Sequence, residues 1–327
     1  MKEFISKNQV CKLHPGQQVI GKWHRKSYKI VKQLGYGATG TVYLAHGVDG
    51  AVALKVGAES MAISSEVNVL QQLSKVQGQH LGPSFIDVDD IITSEGTYPF
   101  YVMEYLEGEP LIPFWQKHRP EWLGILMVQL LSDLDRLHRI GWIFGDLKPE
   151  NLIVTGPPYR IRWMDVGGTT MKGRAIKEYT EFFDRGYWGL GSRKAEPSYD
   201  LYSVAMIMIN SRYPSRFDKK PSSAPYKQLQ KAIVNDTILK KYQSTIEGAL
   251  QGKFSEAMAM RKSLVSQVGS SDSRREYKVT RRTQAPTKQR KKKKKQPAKK
   301  SSAIFETFLV GSFLLLVYIL YWFGQMM

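Results

Sequence analysis

The run Phe144-Gly145-Asp146-Leu147-Lys148-Pro149-Glu150-Asn151 places an acid, a lysine and a carboxamide at the spacing that phosphoryl transfer to a hydroxyl requires. Asp146 is the candidate to accept the proton of the acceptor hydroxyl, and Asn151 the candidate to hold Mg²⁺ against the phosphates of a nucleotide. Lys148 supplies positive charge where the transferred phosphoryl group becomes more negative. Taken alone the octapeptide also fits an ordinary loop, so its partners elsewhere in the chain decide the reading.

Upstream lies Gly35-Tyr36-Gly37-Ala38-Thr39-Gly40-Thr41-Val42, a G-x-G-x-x-G-x-V run flanked on both sides by alternating, strand-like segments, Tyr28 to Leu34 and Thr41 to Ala45. A dinucleotide fold needs a helix after such glycines, whereas a second strand here suits a hairpin lid over ATP phosphates, with Gly35, Gly37 and Gly40 giving close backbone approach. Next, Ala51-Val52-Ala53-Leu54-Lys55 is an apolar strand ending in a lysine that can reach the α- and β-phosphates. Glu66, at the head of an apolar pattern with helical spacing, is its expected ion-pair partner; Glu59 is the rival, set so close to Lys55 that little room remains for a packed helix. Beyond the loop, Ile161-Arg162-Trp163-Met164 reads as a short strand leading into Asp165-Val166-Gly167. Asp165 and Asn151 form the oxygen-rich set that Mg²⁺ favours, with Mn²⁺ an acceptable substitute.

In this order the motifs resemble those of the Hanks-type, eukaryotic-like serine/threonine protein kinases, from about Tyr28 to about Gln267. The resemblance implies ATP and Mg²⁺ as cofactors, protein substrates, and Ser/Thr acceptors because of Lys148. It assigns catalytic roles to Asp146, Lys148, Asn151 and Lys55. It also implies that Tyr101 to Gly108 is the strand and hinge behind the adenine, with Met103 at the gatekeeper place and backbone groups near Glu104 and Leu106 binding the base. Val42, Ala53 and Ile153 would sandwich the ring, although each fits plain core as well. Asp200 matches the buried Asp that anchors the catalytic loop from below.

Three departures from the family pattern bear on mechanism. Phe144-Gly145 stands where His-Arg is usual, so a phosphorylated activation loop lacks its ordinary arginine partner; Thr169, Thr170, Thr180 and Ser192 are the candidate autophosphorylation sites. Phe144 and Val166 occupy two apolar spine places, one larger and one smaller than usual, which predicts compensating volumes. Neither Tyr187-Trp188-Gly189 nor Ala195-Glu196-Pro197 makes a convincing Ala-Pro-Glu, which puts the peptide groove in doubt.

The far end of the chain carries a different signal. Residues 304–324 are almost wholly apolar, and twenty-one residues at ~1.5 Å each match a bilayer core of about 30 Å. Tyr318, Tyr321, Trp322 and Phe323 cluster at its distal end, as an interfacial aromatic belt would. Fourteen Lys or Arg against the single Glu276 between Arg274 and Lys300 give a net charge of +13 out of the chain's +19. The positive-inside rule then puts the catalytic domain in the cytoplasm, residues 325–327 outside, and any stimulus within the cell or the membrane. Such a segment, poor in apolar residues, is expected to be disordered. It attracts anionic membrane lipid, and Arg290, Lys291, Lys292, Lys293, Lys294 and Lys295 leave room for DNA held by phosphate neutralisation. This order of parts resembles the YabT-type kinases of spore-forming Bacilli, which implies a role in sporulation.

Composition narrows the rest. A single cysteine, Cys11, excludes a disulfide framework, and the first residues have no apolar stretch of the signal-peptide kind. The expected fold class is α+β: an N-terminal extension (1–27), a bilobal protein-kinase domain (28–267), a Lys/Arg-rich disordered juxtamembrane linker (268–303) and one C-terminal transmembrane helix (304–324). Within the domain an antiparallel-sheet lobe runs to about Gly108 and a mainly helical lobe follows. Pro120 to His138 is the expected long helix, burying Leu123, Leu126, Met127, Leu130, Leu134 and Leu137. Tyr226 to Leu264 reads as an abbreviated set of last helices. A pseudokinase scaffold that binds ATP without transfer, and a membrane tether for DNA, are the competing function classes. Whether two chains form a homodimer through the span is left open by the sequence.

Overall fold

A computed structural model of the chain describes residues 11–37, 39–75, 81–221 and 224–269. Six antiparallel strands form the small lobe: β1 (Gln18–Ile20), β2 (Ser27–Gly37), β3 (Gly40–Gly47), β4 (Gly50–Val56), β5 (Phe85–Thr93) and β6 (Gly96–Glu104), in the order β1-β2-β3-β4-β6-β5. Alternation places Tyr28 and Ile30 of β2, and Tyr43 and Ala45 of β3, on the buried face. Helix α1 (Ser60–Ser74) turns Ile63, Val67, Leu70 and Leu73 inward, at the spacing of one helical face.

The sheet begins earlier than the sequence suggests. Part of the expected N-terminal extension belongs to the lobe: β1 pairs with β2, Leu13 and Val19 are buried in its core, and Trp23 N and His24 N donate to Asp89 at 2.9 and 2.7 Å. A strand this short carries no readable alternation, and its burial comes from partners up to about seventy residues away.

The large lobe opens with β7 (Glu109–Pro110), α2 (Leu111–Lys117) and α3 (Glu121–Arg139). All six residues predicted for the apolar stripe of α3 are buried, and Leu131 joins them. Glu121 in its first turn and Arg136, His138 and Arg139 in its last complement the helix dipole. Strands β8 (Trp142–Ile143), β9 (Leu152–Thr155), β10 (Arg160–Trp163) and β11 (Thr170–Met171) follow. β9 pairs with β7 and β10, and β8 pairs with β11. The loop carrying Asp146 is thereby held between β8 and β9, and Asp165 between β10 and β11. After the short α4 (Arg185–Trp188), α5 (Pro197–Arg212) is buried on every side from Tyr199 to Ser211, as suits a helix at the centre of a lobe. Helices α6 (Pro225–Asn235), α7 (Thr237–Lys241), α8 (Gln243–Leu250) and α9 (Ala257–Gly269) close the domain, and α9 packs along α3.

Among the described residues no helix is long and apolar enough to cross a membrane. The expected linker beyond Gly269, the apolar run 304–324 and the six basic residues 290–295 lie outside the described residues.

Candidate active site

Strand register alone brings the first partners together. Lys55 of β4 stands opposite Val42 of β3 on one side and Tyr101 of β6 on the other. Its ammonium donates to both carboxylate oxygens of Glu66 on α1, at 2.9 and 2.7 Å, and both side chains are buried. Glu66 is the partner, and the rival Glu59 is the cap residue ahead of α1. Tyr101 adds a donor that the sequence did not suggest, its hydroxyl 2.8 Å from Glu66 Oε2. Burial works against the charge on Lys55, but the nearby Asp165 and Glu66 carboxylates outweigh it and raise the ammonium pKa above its ordinary value. Lys55 therefore remains cationic at neutral pH. Removing one partner of such a buried pair costs about 3–5 kcal/mol, because the other is left uncompensated.

Across the cleft, the catalytic loop is fixed from below by Asp200. This fully buried carboxylate accepts from Phe144 N at 2.8 Å and Gly145 N at 2.9 Å, and His138 Nε2 lies 2.8 Å from it. Gly145 shows why no arginine stands here: its φ is +83°, and a Cβ would meet the Gly168 carbonyl oxygen at 2.8 Å. Above it, Lys148 Nζ donates to Asp146 Oδ2 and, at 3.1 Å, to Thr180 Oγ1, while the Thr180 hydroxyl donates to Asp146 Oδ1 at 3.2 Å. Acid, cation and hydroxyl form a closed triangle. Asn151 Nδ2 donates to the Asp146 carbonyl at 2.8 Å, which leaves its side-chain oxygen for another partner.

The structure gives the expected phosphorylation sites different surroundings. Thr180 positions the acid and the lysine, a role its sequence neighbours do not signal. Thr169 and Thr170 are buried, because Thr170 lies in β11 against Ile143 and its hydroxyl bonds Gly168 O at 3.0 Å. Of the four expected phosphorylation sites, Ser192 alone is exposed. In Ala195-Glu196-Pro197, Glu196 accepts from the buried Arg185 Nη2 at 2.7 Å, and Asp184 adds a second anchor: it caps α4 through Gly186 N and Tyr187 N and accepts from Tyr199 Oη and Arg193 Nε at 2.9 and 2.8 Å. Phe144 and Val166 are both buried in the core that joins α1 to the large lobe, and Phe144 meets Trp163 edge to face with ring centroids 5.1 Å apart.

The cleft between these groups has a volume of about 610 Å³. Gly35, Gly37, Gly40, Val42, Ala53, Lys55, Met103, Glu104, Leu106, Asp146, Lys148, Asn151 and Asp165 line it as anticipated. Gly40 has a second reason to be glycine, since a Cβ there would sit 2.1 Å from Val56 O. Two expected residues stand behind the lining: Glu66 holds Lys55, and Ile153 is buried against Gly108. Leu34 and Met164 are apolar lining residues that the sequence reading missed. The hinge is fastened by Arg162, which donates to Glu104 Oε2 at 2.9 Å and to Gly82 O at 2.7 Å; Ser84 N also donates to that carboxylate, at 3.0 Å. Burial pushes the Glu104 carboxyl up, but Arg162 and Ser84 together hold it below the ordinary range. Glu178 also lines the cleft, and burial followed by the charges of Asp165 and Asp146 pushes its carboxyl up.

The metal ligands can be tested against their surroundings. Asp165 is exposed, with one oxygen accepting from Gly167 N at 2.9 Å and the other uncommitted, and the Asn151 side-chain oxygen lines the same cleft. A carboxylate and a carboxamide oxygen suit a hard divalent cation that keeps water and phosphate in its shell.

Comparison with known proteins agrees with this geometry. The family pattern for the protein kinase domain matches residues 28–266. The serine/threonine-protein kinase YabT of Bacillus subtilis (strain 168) is 48% identical over 325 residues, covering 95% of each chain. Among solved structures, vaccinia related kinase 3 aligns with a TM-score of 0.59 at 15% identity, covering 81% of this chain and 93% of that one. The kinase domain of Mycobacterium tuberculosis PknI aligns with a TM-score of 0.54 at 18% identity, covering 79% and 100%. At these identities the two structures speak for the bilobal fold alone.

Proposed function

This chain belongs to the protein kinase family and is a serine/threonine protein kinase, and from that premise we propose that it phosphorylates cytoplasmic proteins and itself from the membrane surface. The observation that carries the catalytic part is the triangle of Asp146, Lys148 and Thr180, whose acid and cation line the cleft together with Lys55, itself held by Glu66 from behind. Lys55, kept charged by Glu66 and Asp165, holds the α- and β-phosphates of ATP. Asp146 takes the proton of the incoming Ser or Thr hydroxyl as its oxygen bonds to the γ-phosphorus, and the bond from that phosphorus to the bridging oxygen breaks to leave ADP. Lys148 offsets the negative charge that gathers on the transferred group. Asn151 and Asp165 would hold Mg²⁺, or Mn²⁺ in its place, which when bound neutralises phosphate charge.

The decisive experiment compares the full chain with its Asp146→Asn variant in detergent, following phosphate transfer from Mg·ATP to a generic basic protein and to the chain itself. Loss of about 10²–10⁴ in rate with nucleotide binding retained is the expected result. Unchanged transfer in the variant would remove Asp146 from the mechanism, and binding without transfer by the parent chain would make it a scaffold.

The anchoring part is supported by sequence: the apolar run 304–324 and the basic segment that precedes it. That segment gives the kinase a handle for anionic lipid or DNA, with Arg290 to Lys295 as its densest part. Activity measured with anionic vesicles and with duplex DNA at rising salt separates the two. Stimulation that fades steeply with salt supports control by the polyanion that gives it, and a flat response to both rejects such control.

A further inference from the structure

A second cavity, of about 620 Å³, lies between α3, β10 and α9 and shares no lining residue with the cleft. Four arginines line it from three elements: Arg136 and Arg139 on α3, Arg160 on β10 and Arg261 on α9. Two carboxylates face them, and both are engaged. Asp133 accepts from Arg136 Nη2, and Asp135 pairs with Arg139 Nη2 at 2.7 Å. Arg160 and Arg261 bring two further positive charges; among the described residues neither forms an ion pair, although the charge of Arg160 is felt by Asp133. Among the described residues the Nε of Arg261 is buried without an acceptor. A buried guanidinium donor left unmatched is costly, and an anion seated beside it would remove that cost.

We infer that this cavity is a binding site for a phosphate monoester. Two guanidinia that form no ion pair among the described residues, reaching one space from a strand and a helix, match the charge and the fork geometry of a phosphate dianion. The volume exceeds what a bare ion fills, and Met258 supplies an apolar wall for the organic part of an ester. The chain's own linker, with its net charge of +13, is excluded as the occupant by like charge. The assignment does not depend on the reading of the cleft, since the two sites share no residue.

Two sources carry this chemistry: a free phosphorylated small molecule, or a phosphoserine or phosphothreonine on a protein. Hydrogen–deuterium exchange of the full chain in detergent, with inorganic phosphate, O-phosphoserine, a phosphoserine peptide and its unphosphorylated form, localises any binding. The expected result is slower exchange along 129–139 and 257–264 with the phosphorylated probes and none with the bare peptide. Arg160→Gln and Arg261→Gln should each weaken that protection about tenfold or more in probe concentration while phosphate transfer to a generic substrate stays as in the parent, which also shows the variants folded. Arg261→Lys, which keeps the charge but not the fork, should fall between. Tighter binding of the phosphopeptide identifies a protein source, and equal or tighter binding of O-phosphoserine a small-molecule one. Protection confined to the basic linker, or protection at α3 and α9 that survives both glutamine substitutions, overturns the assignment.

Discussion

Asp200 and Asp184 are both fully buried carboxylates that fix a loop beside the reacting groups, yet they do so by opposite means. Asp200 reaches across the sequence to Phe144 N, Gly145 N and His138, more than fifty residues away, and ties the catalytic loop to α5 through short bonds from two buried backbone donors and a partly buried imidazole. Asp184 serves mainly its own neighbourhood: it caps α4, accepts from Tyr199 Oη at the head of α5, and closes the segment through Arg193, whose side chain is 41% exposed. A loop held by buried backbone donors opens only with the lobe, whereas a loop closed through a half-exposed guanidinium can loosen locally. The catalytic acid thus sits on the rigid anchor and Thr180, four residues before Asp184, on the adjustable one.

The largest expected effect comes from removing the rigid anchor. Asp200→Ala leaves two buried backbone donors unmatched, at about 1–3 kcal/mol each, and should lower the thermal midpoint sharply and abolish transfer. Asp184→Ala should cost less stability but show fast local exchange over 180–193. Equal losses in the two variants would erase the distinction. Next in size is Thr180→Ala, which should slow turnover by about tenfold or more with the KM for ATP little changed, because its hydroxyl meets both Asp146 and Lys148. Thr180→Ser should restore the rate; if Thr180→Glu restores it instead, Thr180 is a phosphorylation site after all.

Gly145→Ala probes the rigid loop itself. The left-handed backbone and the 2.8 Å approach to Gly168 O should together cost about 1–3 kcal/mol and lower activity in parallel with stability. A neutral result would mean the loop yields, against the comparison. The smallest effect lies in the small lobe. Burial pushes the carboxyls of Asp87 and Asp89 up, but hydrogen bonds from His24 to both, from Lys26 and Tyr28 to Asp87, and from Trp23 N to Asp89 hold them below the ordinary range. Their contribution is therefore present above the unfolded carboxylate pKa of about 3.9 and is lost as pH falls through the lower folded values. Acid titration of Asp89→Asn against the parent should show the parent's advantage vanishing below about pH 4. An advantage that persists at pH 2 would assign it to something other than these charges.

Much of this site was legible because its residues work in short, fixed spacings. Asp146, Lys148 and Asn151 share one loop, and Lys55 and Glu66 are separated by one turn and half a helix, so type and distance along the chain sufficed. Asp200 could be read from its helix. The contact of Thr180 with the catalytic acid is not legible, because a threonine in a loop looks like any hydroxyl until the fold places it against Asp146. The packing of residues 11–27 on the small lobe is not legible, because single strands and side-chain straps show no period. Ile153 and Met164 changed places relative to expectation, since which apolar residue of a strand faces a cleft depends on strand twist and neighbours.

The sequence by itself determined the chemistry: the acid, the cations, the amide, the glycine hairpin and the helical stripe of α3 are properties of residue type and local period. Tertiary structure alone decided which groups meet. The triangle at Thr180, the Asp184 anchor, the Tyr101 bond to Glu66, the hinge clasp of Arg162 and the four-arginine cavity all join residues from separate elements. Their distances follow from packing, which a pattern along the chain does not encode.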